Sequence, residues 1–234
     1  AAPEVTSKTT GAVAPTANIE IVLDETVVKG STGNIVIMKK GTGGNPDTVF
    51  ETISVTDAKV TIGGVDNKTV TINPAGDLVA GESYYVEVQS GALKDSAGND
   101  FAGLSGSSAW TFNAADLSTS VAWSGSSVDA TDGYINTSEL SNATLSGTVS
   151  NPAGATSVAI SSIVFKATDG SGDITISSSL PTISGNNWTL TNNSSWTSQL
   201  VNGKSYTVEV NLSGTLSGNA VVGSGTASSV AIDT

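Results

Sequence analysis

The chain has 234 residues, a net charge of −12, and no Cys, His or Arg. Without Cys it can form no disulfide or thiolate metal site, and without His it lacks the commonest general base and metal ligand. An acidic surface without Arg argues against binding to nucleic acid or anionic membranes, since cations must neutralise phosphate there. No run of about 18 apolar residues is present, so we expect no membrane-spanning segment.

The first half of the chain alternates apolar and polar residues in short runs, which Gly, Asn and Pro turns separate. Alternation of period two is typical of half-buried β-strands, and short strands at regular spacing indicate a sandwich or barrel. No convincing amphipathic helix interrupts them. The predicted strands are 19–23, 34–37, 69–72, 84–88 and 110–112.

The second half restarts after a short linker, predicted at 113–118. Its predicted strands are 143–149, 157–165, 173–176, 188–191, 205–210 and 227–232. The length suits two domains of ordinary size. We therefore predict an all-β protein with two tandem antiparallel β-sandwich domains, at 1–115 and 116–234.

One phrase occurs in both halves. Residues 78–88 read LVAGESYYVEV and residues 200–210 read LVNGKSYTVEV, at a constant offset of 122 residues. A single long period indicates two tandem domains of related design and not a solenoid of short repeats. Tandem β-modules usually serve as architecture.

An acidic loop at 128–139 is the first candidate metal site. From Asp132 onward it follows the spacing of an EF-hand loop, with Asn136 and Glu139 at later ligand positions. Val128 and Ala130 break the pattern at its first and third positions, so a full EF-hand is excluded. Two readings stay open: a looser calcium site that uses Asp129, Asp132 and Glu139, or an acidic turn that satisfies its own backbone.

Two further acidic groups are candidates. Asp95, Asn99 and Asp100 could converge in a tight loop, although a long hairpin turn explains the same residues. Asp116 and Asp233 stand at the ends of the two predicted domains. Carboxylates at a domain junction can share a cation with a neighbouring loop, and without the cation their repulsion would splay the joint.

The sequence contains few of the residue types and motifs that catalysis requires. Without His or Cys, an enzyme would need paired carboxylates or a Ser–Lys arrangement, and no nucleophile-elbow or P-loop pattern places such groups. We predict that the chain is not an enzyme. The aromatic residues are expected in the core, with Trp196, in a polar stretch, as the most exposed and the best candidate for a sugar platform.

Residues from about 3 to 112 resemble the bacterial Ig-like domains of large surface proteins. The resemblance rests on the strand at 19–23 with the acidic pair after it, on KDSAGN at 94–99, and on the closing Trp-Thr-Phe at 110–112. It implies that the first sandwich is Ig-like.

Residues from about 119 to 234 resemble the Ig-like extender repeats of RTX adhesins, through DGYINTSEL at 132–140, LSGTV at 145–149 and the terminal Ile-Asp-Thr. In that family calcium ions at and near domain junctions stiffen a rod. By position, the resemblance implies ligands at Asp129, Asp132, Glu139 and Asp233, with Asp116 as the junction partner.

The sequence and the resemblance together predict a calcium-stiffened spacer of a secreted bacterial adhesin, exposed on the cell surface. Its partners would be the adjoining Ig-like domains of the same long chain. Two alternatives stay open: a module that itself binds a surface glycan or protein, and an S-layer lattice module.

Overall fold

A computed structural model describes residues 1–124, 132–192 and 194–234, without the side chains of Ser194 and Ser195. The chain divides into two compact units, Ala1–Ala115 and Asp116–Thr234. The regular secondary structure of both units is almost wholly strand, which confirms the predicted all-β class of tandem β-sandwiches. The helical segments of the described chain are short: a 3-10 turn at Val65–Asn67, α1 at Thr137–Leu140 and α2 at Ser194–Thr197.

The first unit contains eleven strands in two main sheets. In one sheet the order is β1-β3-β8-β7, and in the other it is β2-β11-β9-β5-β6. The short strands β4 and β10 pair with each other. The bounds are β1 Val5–Lys8, β2 Ala12–Val13, β3 Ile19–Leu23, β4 Val27–Lys29, β5 Asn34–Lys39, β6 Thr48–Ser54, β7 Val60–Gly63, β8 Thr69–Ile72, β9 Ser83–Val88, β10 Leu93–Asp95 and β11 Thr111–Ala114.

The core of the first unit lies between these two sheets. Along β3, Ile19, Ile21 and Leu23 are buried while Glu20 is exposed, as the alternation predicts. Trp110 is fully buried, and its indole N–H donates to the carbonyl of Thr9 at 2.8 Å. The core tryptophan therefore also ties the last strand to the start of the chain.

In the second unit, the strands of the described residues are connected by hydrogen bonds in one ten-stranded arrangement, and several are longer than those of the first unit. Strand β15 pairs with β13 and β18, while β19 pairs with β16, β20 and β21. Strand β17 extends the sheet beyond β16, and β14 pairs with β21. The bounds are β12 Ser118–Thr119, β13 Ala122–Ser124, β14 Tyr134–Asn136, β15 Thr144–Ser150, β16 Thr156–Ala167, β17 Ile174–Ile176, β18 Asn187–Leu190, β19 Ser205–Leu216, β20 Asn219–Thr226 and β21 Val230–Asp233.

The repeated phrase forms the same corner in each unit. The hydroxyl of Tyr84 accepts the backbone N–H of Val79 at 2.8 Å, and that of Tyr206 accepts the N–H of Val201 at 3.3 Å. A tyrosine near the start of a strand that bonds to the backbone a few residues upstream is the tyrosine corner of Ig sandwiches. Both rings are buried.

Each corner also holds the closing strand of its unit. The N–H of Gly81 donates to the carbonyl of Ala114 at 3.1 Å, and the N–H of Gly203 donates to that of Ile232 at 2.7 Å. Both glycines have φ near +80°, a conformation that a side chain disfavours. The other edge of each closing strand pairs in parallel with a short early strand, β2 in the first unit and β14 in the second.

The region predicted as a linker at 113–118 is half strand. Strand β11 runs to Ala114 and β12 begins at Ser118, so three residues lie between them. Ala115 and Leu117 are both buried. The N–H of Ala115 donates to the carbonyl of Val13 in the first unit, and in the second unit the hydroxyl of Thr119 accepts the indole N–H of Trp188 at 2.8 Å. The apolar residues of the segment therefore pack into the two units, which the pattern of the short segment did not indicate.

Two glycines of β20 make room for this segment. A Cβ on Gly223 would overlap the carbonyl of Leu117, and a Cβ on Gly225 would overlap that of Thr119. Neither glycine has a positive φ in the structure. Both positions therefore require glycine because two backbones approach closely there, and not because of turn geometry.

We expect Tyr84→Phe to lower the free energy of unfolding of the first unit by about 1 kcal/mol, because Val79 N–H loses its acceptor. Tyr206→Phe should cost the second unit less, because its bond is longer. Urea unfolding measures both effects, with Trp110 fluorescence reporting on the first unit. Tyr134→Phe is the matched control, since Tyr134 is 55% exposed. Equal losses in all three variants would contradict the corner's role.

We expect Gly225→Ala to destabilise the second unit by about 1–3 kcal/mol, because the added methyl group forces Thr119 away from β20. Ser224→Ala, at an exposed position of the same strand, should leave stability within about 0.5 kcal/mol. Thermal unfolding compares the two variants. Equal melting temperatures of the two variants would show that the close packing of β12 on β20 does not determine the stability of the second unit.

Candidate metal-binding loops

The structure brings one end of the acidic loop beside the C-terminal strand. In the parallel pair of β14 with β21, Asn136 lies opposite Asp233. The N–H of Ala231 donates to the carbonyl of Gly133 at 2.8 Å, which ties the segment after Asp132 to the same strand. Asn136 and Asp233 therefore lie at one end of this parallel pair, and Asp132, which precedes β14, lies at its other end. The predicted ligand Asp129 lies outside the described residues.

Two residues of the EF-like pattern form a helix cap. The side-chain oxygen of Asn136 accepts the N–H groups of Ser138 at 2.9 Å and Glu139 at 3.0 Å. The carboxylate of Glu139, which is 8% exposed, accepts the N–H of Asn136 at 2.9 Å. This is a capping box at the start of α1. Sequence reasoning missed it, although Asn-x-x-Glu before an apolar residue is its signature.

Asp132 makes a local turn and keeps its side chain at the surface. Its Oδ1 accepts the N–H of Tyr134 at 2.9 Å, which is the geometry of an Asx turn. Asp132 and Asp233 are both exposed. The arrangement thus contains elements of both predicted readings: self-satisfied backbone at Asn136 and Asp132, and exposed carboxylates on adjacent segments.

Asp116 lies at the opposite end of the second unit from Asp233. Ser205 pairs with Ala231, whereas Asn211 pairs with Ser224, the residue that contacts Ser118 of β12. Six residues of strand separate these positions by about 20 Å. Asp233 and Asp116 lie beyond them in opposite directions. They cannot bind one ion within this unit.

The loop at 95–100 is a hairpin turn built around a buried carboxylate. Oδ1 of Asp95 accepts the N–H groups of Ala97 at 2.9 Å and Asn99 at 2.7 Å, while Oδ2 accepts the side-chain amide of Asn99 at 2.6 Å. Asp100 forms an ion pair with Lys94. The Asn99 side-chain amide, followed by the two backbone donors, holds the pKa of Asp95 below its usual value.

In the described part of the chain, no group of three or more acidic side chains converges closely enough to hold a metal ion. Asp95 has its oxygens engaged by its own loop, and Glu139 by the capping box. Asp132 and Asp233 both face solvent, but the register of β14 with β21 separates them by four residues of strand, about 13 Å.

The aromatic residues are mostly core, and the expectation of an exposed Trp196 is wrong. Trp196 is fully buried, with its ring stacked on Phe165 at a centroid distance of 5.4 Å. Its indole N–H donates to the carbonyl of Thr191. Trp196 lies in the helical turn α2, within a polar stretch, and its ring points into the core. The polar residues around it in the sequence therefore did not predict that it is buried. Trp110 and Trp188 are buried as predicted.

Comparison with protein families finds a match in the first unit. Residues 1–114 match the family described as bacterial Ig-like domain, Big_5. Domains of this family occur in bacterial surface proteins and are typically structural modules. The three N-terminal domains of the highly immunogenic outer capsid protein Hoc of bacteriophage RB49 are a similar solved structure, at 11% identity and a TM-score of 0.34. That similarity covers 99% of this chain and 69% of the other.

No curated protein matches the chain. Among the described residues, no helix combines the length and the hydropathy needed to cross a bilayer.

We expect Asp95→Asn to lower the melting temperature of the first unit, because one acceptor oxygen becomes a donor that faces Ala97, Asn99 or its side chain. The folded-state pKa of Asp95 is lowered, so its stabilisation is complete above the unfolded pKa of about 3.9 and is lost as pH falls through the folded value. The gap between wild type and variant should therefore be constant near neutral pH and narrow below about pH 4.

Melting curves from neutral to acidic pH measure this gap. Asp100→Asn is the control, since Asp100 is exposed and forms only a surface ion pair with Lys94. A gap that stays the same at all pH values would show that Asp95 acts through packing and not through its charge.

Proposed function

We propose that the chain is a spacer segment of a bacterial cell-surface adhesin, and that it performs no catalysis. The adjoining Ig-like domains of the same long chain would be its partners, outside the cell. The observation that carries this proposal is that the chain enters each unit at one end and leaves at the other. A module with that polarity adds length when it is repeated in tandem.

In the first unit, the carbonyl of Ala1 accepts the side-chain amide of Asn99, in the hairpin turn that follows β10. The last strand ends at Ala114, beside the turn that precedes β9. Entry and exit thus lie at opposite ends of β9. In the second unit, Asp116 and Asp233 are separated in the same way along β19.

We further propose that calcium braces the exit end of the second unit. The unit has only two lysines, and these pair with Glu209 and Asp169. The carboxylates of Asp132 and Asp233 therefore have no lysine to neutralise them. Hard divalent cations prefer carboxylate and carbonyl oxygens, and extracellular calcium sites have dissociation constants of about 0.1–1 mM.

At the exit end the ligands we propose are Asp233 and the backbone carbonyls beside it. Asp132, with Asp129 on the sequence pattern, would belong to a separate position about 13 Å away at the other end of the β14–β21 pair. Glu139 would support the site indirectly, because its carboxylate holds the capping box that orients Asn136. Asp116, at the entry end, would serve the joint with the preceding domain. Both carboxylate oxygens of Asp95 accept hydrogen bonds from Asn99. We therefore interpret the loop at 95–100 as a structural hairpin and propose no ion there.

We expect millimolar calcium to raise the melting temperature of the second unit relative to EDTA. At ten times the dissociation constant, binding adds about 1.4 kcal/mol, which corresponds to several degrees. Asp233→Asn and Asp132→Asn should reduce this increment, while Asp77→Asn, an exposed acidic position in the first unit, should not. Differential scanning calorimetry measures the increment.

Small-angle scattering of the wild type in calcium and in EDTA tests stiffening separately. A particle that is longer and less flexible in calcium supports an ion-braced spacer. Identical melting curves in calcium and EDTA would exclude a structural ion, while the in-line polarity of each unit would still support a spacer.

A further inference from the structure

The first unit contains a groove of about 440 Å³, lined by both polar and apolar residues, that the spacer role does not use. It lies on the outer face of the β5–β9 pair, next to the segment at 102–105 that follows the hairpin loop. Val36 and Glu87 lie opposite each other in the register of that pair. They form the floor, and Leu104 and Ser105 belong to the wall.

The wall is fixed to the sheet by backbone contacts. Leu104 and Val88 exchange two backbone hydrogen bonds, at 2.8 and 2.9 Å. Gly103 has φ of 87°, and a Cβ there would overlap the carbonyl of Val88. The segment is therefore seated tightly on β9, so the groove exists before any ligand arrives. Preformed sites of this kind avoid the cost of ordering a loop on binding.

The polar side chains of the groove are also held in place. Oε1 of Glu87 accepts the N–H of Gly106 at 2.9 Å, and Oε1 of Gln89 accepts the N–H of Asn34 at 3.1 Å. These bonds leave the second carboxylate oxygen of Glu87 and the amide N–H groups of Gln89 for a ligand. Asn34 and Ser105 add an amide and a hydroxyl to the lining.

We propose that this groove binds one residue of a neutral saccharide. A carboxylate that accepts and an amide that donates, side by side, match two adjacent sugar hydroxyls, each of which is both donor and acceptor. Val36 and Leu104 offer aliphatic surface to the C–H face of a pyranose ring. The lining, which lies wholly within the described range 1–124, includes no Lys, so it favours a neutral sugar over an anionic one.

A simple ammonium ion would satisfy Glu87 but offer no acceptor to the amides of Gln89 and Asn34, whereas each sugar hydroxyl both donates and accepts. A lysine-containing peptide, which also carries carbonyl acceptors, is the competing ligand that the test below includes. No aromatic side chain lines the groove, so affinity for a single sugar is weak, with a dissociation constant on the order of millimolar. Repetition of such domains along one chain would strengthen attachment by avidity.

The test is an NMR titration of the full chain, labelled with ¹⁵N, with the methyl glycosides of glucose, galactose and mannose. We expect saturable shifts with at least one of them, confined to amides at 87–90 and 102–106. Glucuronate should bind more weakly than the matching neutral glycoside, because its carboxylate approaches Glu87. Glu87→Gln, which preserves the acceptor for Gly106, should weaken binding about fivefold.

Two further variants keep the test decisive. Ser105→Trp fills the groove from an exposed position and should abolish the shifts without unfolding the chain. Glu20→Gln makes the same charge change on β3 of the other sheet and should leave binding unchanged. The proposal is overturned by an absence of saturable shifts with all three glycosides, by binding that survives Ser105→Trp, or by binding of N-acetyl-lysine methylamide in place of every glycoside.

This inference does not rest on calcium. The groove lies within the first unit, and the proposed ion lies in the second. A negative result in one experiment therefore leaves the other unaffected.

Discussion

Both sandwiches depend on how the last strand is held. In each unit the closing strand has the turn before the corner strand on one side and a short parallel strand on the other. Neither β11 nor β21 is therefore a free sheet edge, where unpaired N–H and C=O groups invite pairing with other chains. The tyrosine corner fixes the turn that makes this possible, which gives a physical reason for the repeated phrase. The Leu, Gly and Tyr of the phrase belong to one hydrogen-bonded corner, so their recurrence is not a chance similarity.

The fold was predictable because its signals are local. The alternation of apolar and polar residues in β3 and β9 indicates which side chains face the core. The repeated phrase indicates that there are two domains. Strand β20 was missed because its sequence, NAVVGSGT, reads as a turn. Gly223 and Gly225 are there for a reason that no local pattern expresses, namely the backbone of Leu117 and Thr119 pressing on that strand. The burial of Trp196 was hidden in the same way by its polar neighbours.

The acidic loops were less predictable, because one residue pattern serves two kinds of chemistry. Carboxylate oxygens at close spacing can gather around a cation, or they can accept the N–H groups that a turn or helix start leaves open. The carboxylates of Asp95 and Glu139 accept backbone N–H groups within 3 Å. In both loops the carboxylate therefore caps the backbone. Sequence spacing alone does not separate these outcomes, since both require acceptors in the same short segment. Only the three-dimensional partners of each oxygen distinguish them.

If the chain is the spacer that we propose, a force applied at entry and exit would act along the closing strand. The parallel pair of β14 with β21 would then resist that force by shear. Its hydrogen bonds are then loaded together and not one after another, so they must break at the same time. Asp132 precedes β14 and Asp233 ends β21, so in this parallel pair the two carboxylates lie at opposite ends, about 13 Å apart. Asp233 is the carboxylate at the end where the chain leaves the unit. A cation bound there, as we propose, would act on the last hydrogen bonds of β21, whereas one bound at Asp132 would act on the start of β14.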